Sequence, residues 1–216
     1  MSLLRWIPTF LAFPLGGLLA MLVVGPVSDP LTAIAAGAIA GAVLGAAQWL
    51  ALGRAVDWRW LVATSVAFGV GSAAAVALFG PPVTPVAAAL TGLVTGLVVG
   101  AAQAAVVGAR RGGDAGVRAG RLRVGLVWAA VVALAWAAAW IITSFVIIDL
   151  DRGHVVFGSS GAVVATVVTG LVLRRILGPR PKQRDVQRRE AQEPAGAAQA
   201  SRPSPSPSVE PATTEA

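Results

Sequence analysis

The placement of charge most constrains what this chain can fold into. Pro8 to Ser28, Leu31 to Gly53, Leu61 to Ala109 and Gly125 to Ile148 contain no Asp, Glu, Lys, Arg or His. A helix rises about 1.5 Å per residue and a bilayer's hydrocarbon layer is about 30 Å thick, so about 20 apolar residues make one crossing. Each of the four stretches is long enough. Charged residues make up 12% of the chain, against roughly 25% in soluble domains, which leaves little polar surface for a fold in water. The pattern predicts an all-α integral membrane protein with six spans, at about Ile7 to Val24, Leu31 to Gly53, Trp60 to Phe79, Val83 to Gly108, Val124 to Ile148 and Val155 to Leu173. The longest stretch is divided at Gly80-Pro81-Pro82, a strong helix breaker. A barrel is excluded by run length, since barrel strands are about ten residues long and alternate in polarity.

Arg5 ahead of an apolar run has the form of a signal peptide, but the run is long for a signal core and no clear A-x-A site follows. Arginine and lysine orient the spans, because basic residues in short loops stay on the cytoplasmic side. Arg5, Arg54, Arg59, the Arg110–Arg123 loop and the residues from Arg174 onward fall on one side. Asp29, the uncharged Gly-Pro-Pro turn, Asp149, Asp151, Arg152 and His154 fall on the other. Both termini are therefore expected in the cytoplasm of a cell whose plasma membrane holds the chain. The net charge of +7 follows from this topology. Nucleic-acid binding would need those arginines on a folded soluble face, and no such domain is legible. The absence of cysteine removes disulfides and thiolate chemistry.

Three copies of a helix pair are visible. The second span carries Gly37-x3-Gly41-x3-Gly45-Ala46-Ala47-Gln48 and the fourth carries Gly92-x3-Gly96-x3-Gly100-Ala101-Ala102-Gln103. The sixth keeps a degenerate form, Gly158-x3-Ala162-x3-Thr166-x2-Thr169. Among the odd spans, Arg5-Trp6 parallels Arg59-Trp60, and Ala12-Phe13 parallels Ala67-Phe68; Arg123 opens the fifth, with Ala133 to Trp136 as its counterpart segment. Copies of two spans each keep the same orientation, so the repeats are parallel and imply a pseudo-threefold six-helix bundle.

The segment Gly45-Ala46-Ala47-Gln48-Trp49-Leu50-Ala51-Leu52 resembles the repeated G-x-x-Q-W-L-x-L signature of a group of uncharacterised bacterial multi-pass membrane proteins. The second copy departs from it at Ala104 and Ala105, and the third has lost the Gln. The resemblance covers the spans of residues 1–178 and implies a membrane fold and location; it carries no activity. Residues 179–216 are rich in Pro, Ala, Ser, Thr and Glu after a basic start at Arg180, Lys182, Arg184, Arg188 and Arg189, and read as a disordered cytoplasmic tail. That start is a stop-transfer flank or a contact for anionic lipids.

No ionisable residue lies within the six spans, which argues against intramembrane proteolysis and proton coupling. No catalytic, cofactor or metal site is assigned. Asp149, Asp151 and His154 share a loop but make an incomplete coordination shell. Trp6, Trp49, Trp58 and Trp60 read as anchors at the headgroup level, and Trp128, Trp136 and Trp140 as space-fillers opposite glycine-lined helices. The glycine-zipper stripes either bring the even helices together centrally or face the odd helix of each pair. Gln48, Gln103 and Thr169 are expected at one depth, pointing inward, as interhelical hydrogen-bonding groups or as a polar constriction. Two function classes remain: a non-catalytic scaffold or partner-binding membrane component with an unknown protein partner, or a passive channel or carrier for a small neutral solute. An enzyme is the remotest reading.

Overall fold

The computed structural model describes residues 3–109, 115–146 and 159–177, which are helical with short connections and contain no strand. The first helix is composite. It runs as α1 (Leu3–Trp6), a 3-10 segment (Ile7–Leu11) and α2 (Ala12–Val24). Pro8 lies in the 3-10 segment, where its missing N–H disturbs the α-helical ladder. There follow α3 (Pro30–Leu52), α4 (Arg59–Phe79), α5 (Pro85–Ala109), α6 (Ala115–Val146) and α7 (Ser159–Leu177). Among the described residues five segments are long and apolar enough to cross a membrane: Leu3–Val24, Pro30–Ala55, Arg59–Phe79, Pro85–Ala109 and Ala119–Ser144. The helix on which the sixth expected span falls, α7, is not among them. The chain divides into Met1–Gly178 and Pro179–Ala216; the expected tail lies outside the described residues.

Local chemistry sets the helix ends. Asp29 caps α3 with Pro30 at its first position: its Oδ1 accepts from the Leu31 and Thr32 amides at 2.8 and 3.0 Å, while Thr32 Oγ1 accepts from the Asp29 amide at 3.2 Å. The Thr32 amide, followed by the Ser28 hydroxyl, holds the Asp29 carboxyl below its ordinary value. Thr84 Oγ1 accepts from the Ala87 amide at 3.1 Å, so α5 starts at Pro85 rather than at the expected Val83. Gly80 adopts φ of 75° and ends α4 at the expected breaker.

The largest departure is in α6, which begins at Ala115 instead of Val124. An apolar-run criterion starts only after Arg123, yet Arg, Leu and Ala are good helix formers and continue the helix upstream. Likewise α7 runs past Leu173, with Arg174 and Arg175 favourably placed in its last turn. Residues 155–158 lie outside the described part.

Helices adjacent in sequence pack together from α2 through α7, and α7 returns against α1 and the 3-10 segment to close a ring. The outer surface is apolar, with Leu15, Leu18, Leu22, Val66 and Leu134 exposed. Inside lie Gly, Ala and Trp together with Gln48, Gln103 and hydroxyls such as Thr64, Thr95 and Thr166. An outer surface this rich in Leu and Val around buried carboxamides and hydroxyls departs from the distribution expected in water.

Candidate functional site: a polar layer in the ring

Close backbone approach makes the site. A Cβ added at Gly41 would lie 2.7 Å from Phe68 Cβ and 2.9 Å from Ser65 Cα, and one at Gly45 would lie 3.0 Å from Leu61 Cα. At Gly96 and Gly100 the nearest atoms are Ala133 Cα at 2.9 Å and Ala129 Cα at 2.7 Å, while Gly92 lies against Trp140. Gly37 similarly abuts Gly69 and Phe68. The first two stripes therefore face the odd helix of the next pair: α3 against α4, and α5 against α6. Neither sequence-based alternative describes this, since the stripes neither converge centrally nor turn to their own pair. Contact within the first pair uses Gly16 against Ala40 instead.

Such proximity lets short polar groups bridge helices. Gln103 Nε2 donates to Gln48 Oε1 and to Thr64 Oγ1, each at 3.0 Å. Trp60 Nε1 donates to Gln48 Oε1 at 3.1 Å, and Trp128 Nε1 donates to Gln103 Oε1 at 3.2 Å. Each Gln thus accepts from an indole on the helix that follows it. At the closing seam, Trp6 Nε1 donates to the backbone oxygen of Thr166 at 2.9 Å, and its ring lies on Gly170. Thr169 turns its hydroxyl back on its own helix, donating to Ala165 O at 2.7 Å.

Gln48 and Gln103 are therefore brought together, whereas Thr169 borders the same small space without bonding to either. Ala162 and Thr166 are buried in α7; Gly158 lies outside the described residues. The network has partners that sequence reasoning missed. Trp6 is 1% exposed and Trp60 0% exposed, so both are interior donors and not headgroup anchors; Trp58, at 60%, is exposed. The repeated Arg-Trp dipeptide was the available signal for Trp6 and Trp60. In the third copy Arg123 and Trp128 are separated, which hid the last donor.

An aromatic set closes the space beside the polar layer. Phe13 and Trp136 meet edge to face with centroids 5.5 Å apart, and Phe68 lies 5.1 Å from Trp136. Between the two sets remains a cavity of about 10 Å³. A single water needs roughly 10–15 Å³ by the same kind of measure, so the space holds one water at most. The layer contains no titratable side chain. Among the described residues no cluster of His, Asp and Glu could hold a metal ion; Asp149, Asp151 and His154 lie outside them.

Comparisons with family models, curated proteins and solved structures return no match for this chain.

Proposed function

We propose that the chain is a six-span protein of the plasma membrane, with α7 as the sixth crossing and both termini cytoplasmic, and that it acts as a non-catalytic scaffold or partner-binding component. Three helix pairs stand about a pseudo-threefold axis in this reading, in keeping with the G-x-x-Q-W-L-x-L group. Bilayer placement is supported by the exposed Leu and Val surface around a more polar interior, which would drive aggregation in water. The scaffold reading rests on one observation: the space enclosed by the Gln48–Gln103 layer and the Phe13–Trp136 contact is only about 10 Å³. Gln103 bonds through both its amide nitrogen and its oxygen, and Gln48 through its oxygen, as interhelical hydrogen-bonding groups do, and the layer leaves no width for a solute.

Two experiments test this reading. Ser28→Cys should react from outside intact cells with an impermeant thiol reagent, and Ala115→Cys should not; the opposite labelling would overturn the orientation. Proteoliposomes containing the full chain should pass glycerol no faster than empty liposomes. Glycerol entry that rises with protein content would replace the scaffold reading by a passive channel.

A further inference from the structure

We propose that a cleft of about 450 Å³ at the arginine-bearing end of α5, α6 and α7 binds an anionic phospholipid, with one acyl chain inside and the phosphate at the mouth. The site rests on the bilayer placement proposed above. Its walls are apolar, including Val107, Val124, Leu173 and Ile176, and its inner end is formed by Trp60 and Trp128. From Arg121 to Trp128 the cleft follows α6 for about 10 Å at the helical rise per residue. Its volume falls within the roughly 300–1,000 Å³ range of small-molecule sites.

The mouth selects the headgroup. Arg121 lines it and is held there by donation from Nη1 to Gly108 O at 3.1 Å. Arg174 and Arg175 sit at the same end of α7 but about 100° and 200° around the helix from Leu173, so Arg121 is the one guanidinium among the cleft's described lining residues. No acidic side chain is among the cleft's described lining residues; Asp57, three residues before Trp60, stands outside that lining. A phosphate with net negative charge complements this rim, because guanidinium groups bind phosphate oxygens through charge-assisted hydrogen bonds. A zwitterionic headgroup would bring its ammonium toward the same guanidinium. Basic pockets between membrane helices on the cytoplasmic side provide the general precedent.

The cleft can be filled without altering charge. A Cβ added at Gly108 or at Gly120 meets nothing within 4 Å, and both residues line the cleft. The test uses full-length protein in detergent with an equimolar mixture of phosphatidylglycerol and phosphatidylcholine, and counts bound lipid by native mass spectrometry. We expect severalfold preference for phosphatidylglycerol, falling to parity in the Gly108→Leu/Gly120→Leu variant. Equal binding of the two lipids by the wild type overturns the proposal. So does unchanged preference in the filled variant, because the basic charge outside the cleft would then suffice. Should that variant not fold, Arg121→Gln leaves the apolar walls intact and should at least halve the preference; no change there also overturns the site. Cell fractionation separates this from the underlying reading: a membrane-bound chain without preference sinks the site alone, whereas recovery in the soluble fraction sinks the bilayer placement.

Discussion

The α3–α4 and α5–α6 seams are built differently from the seam where α7 returns to the first helix. In the first two, a glycine stripe brings backbones together and a Gln at its end accepts a hydrogen bond from an indole N–H across the seam. At the closing seam Thr169 turns its hydroxyl onto its own helix, and the indole bonds to the Thr166 carbonyl. That carbonyl lies within α7, where a backbone N–H four residues on already uses one of its lone pairs. A side-chain oxygen that ties together Gln48, Trp60 and Gln103 links three helices, whereas the Trp6 bond links two. The ring is thus cross-braced at two seams and merely closed at the third, so substitutions should cost more at the braced seams.

The largest effects belong to the glycines beneath the braces. Gly45→Leu and Gly100→Leu place a branched side chain where a Cβ alone would lie 3.0 Å from Leu61 Cα or 2.7 Å from Ala129 Cα. Overpacking costs about 1–3 kcal/mol where neighbours can yield, and backbone yields less than side chain. We expect little folded protein for either variant by size-exclusion yield in detergent. Wild-type yield and thermal stability for both would mean that the stripes do not hold the seams.

Next come the braces themselves. Gln103 makes bonds to Gln48, Thr64 and Trp128, so at an average of about 0.6 kcal/mol per interhelical bond Gln103→Leu should cost about 2 kcal/mol. Gln48→Leu removes two bonds and should cost about 1 kcal/mol. The ranking can be read from thermal midpoints in one detergent. If Gln48→Leu proves the costlier, Gln103 is not the hub of the layer.

The helices themselves were legible because apolar runs and breakers act locally: Gly80-Pro81-Pro82 ends α4 whatever surrounds it. The identity of Gln48 and Gln103 as interior groups was legible too, since a carboxamide in an apolar run needs a partner. Seam direction was not legible. A stripe such as Gly37-Gly41-Gly45 permits close approach by any helix, and only the ring arrangement decides that α4 takes it. Trp6 and Trp60 were hidden for a related reason: a Trp near a basic helix end suits the headgroup region as well as it suits a buried Gln on the next helix. The start of α6 was missed because hydropathy does not detect helix that continues through arginines.

Acid sharpens the comparison, since no residue of the polar layer titrates. Both kinds of seam should keep their relative stability as pH falls, and the α3 cap should be the sensitive feature. The Asp29 carboxyl is held below its ordinary value, first by the Thr32 amide. A depressed carboxyl contributes stability that is present above its unfolded-state pKa and lost as pH falls through its folded one. Wild type should therefore lose a small increment of thermal stability below the ordinary carboxylate range, and Asp29→Asn, which still caps but cannot titrate, should lose less. Identical acid profiles for the two proteins would remove Asp29 as the source.

The smallest effect should be at the closing seam, in Thr169→Val. The hydroxyl donates only within its own helix, to Ala165 O at 2.7 Å and Thr166 O at 3.2 Å, and both acceptors belong to the α7 backbone. Replacing the hydroxyl by a methyl group of similar shape breaks no bond between helices, and the Trp6 bond to Thr166 O stays in place. Valine also restricts its side chain to one helical rotamer with little penalty. The cost should fall below the roughly 0.6 kcal/mol of an average interhelical bond, and hence below either Gln variant. Thermal midpoints of Thr169→Val, Gln48→Leu and Gln103→Leu, measured together, decide the matter. A loss in Thr169→Val equal to that of Gln103→Leu would show that the threonine bonds across the seam, and that all three seams are braced alike.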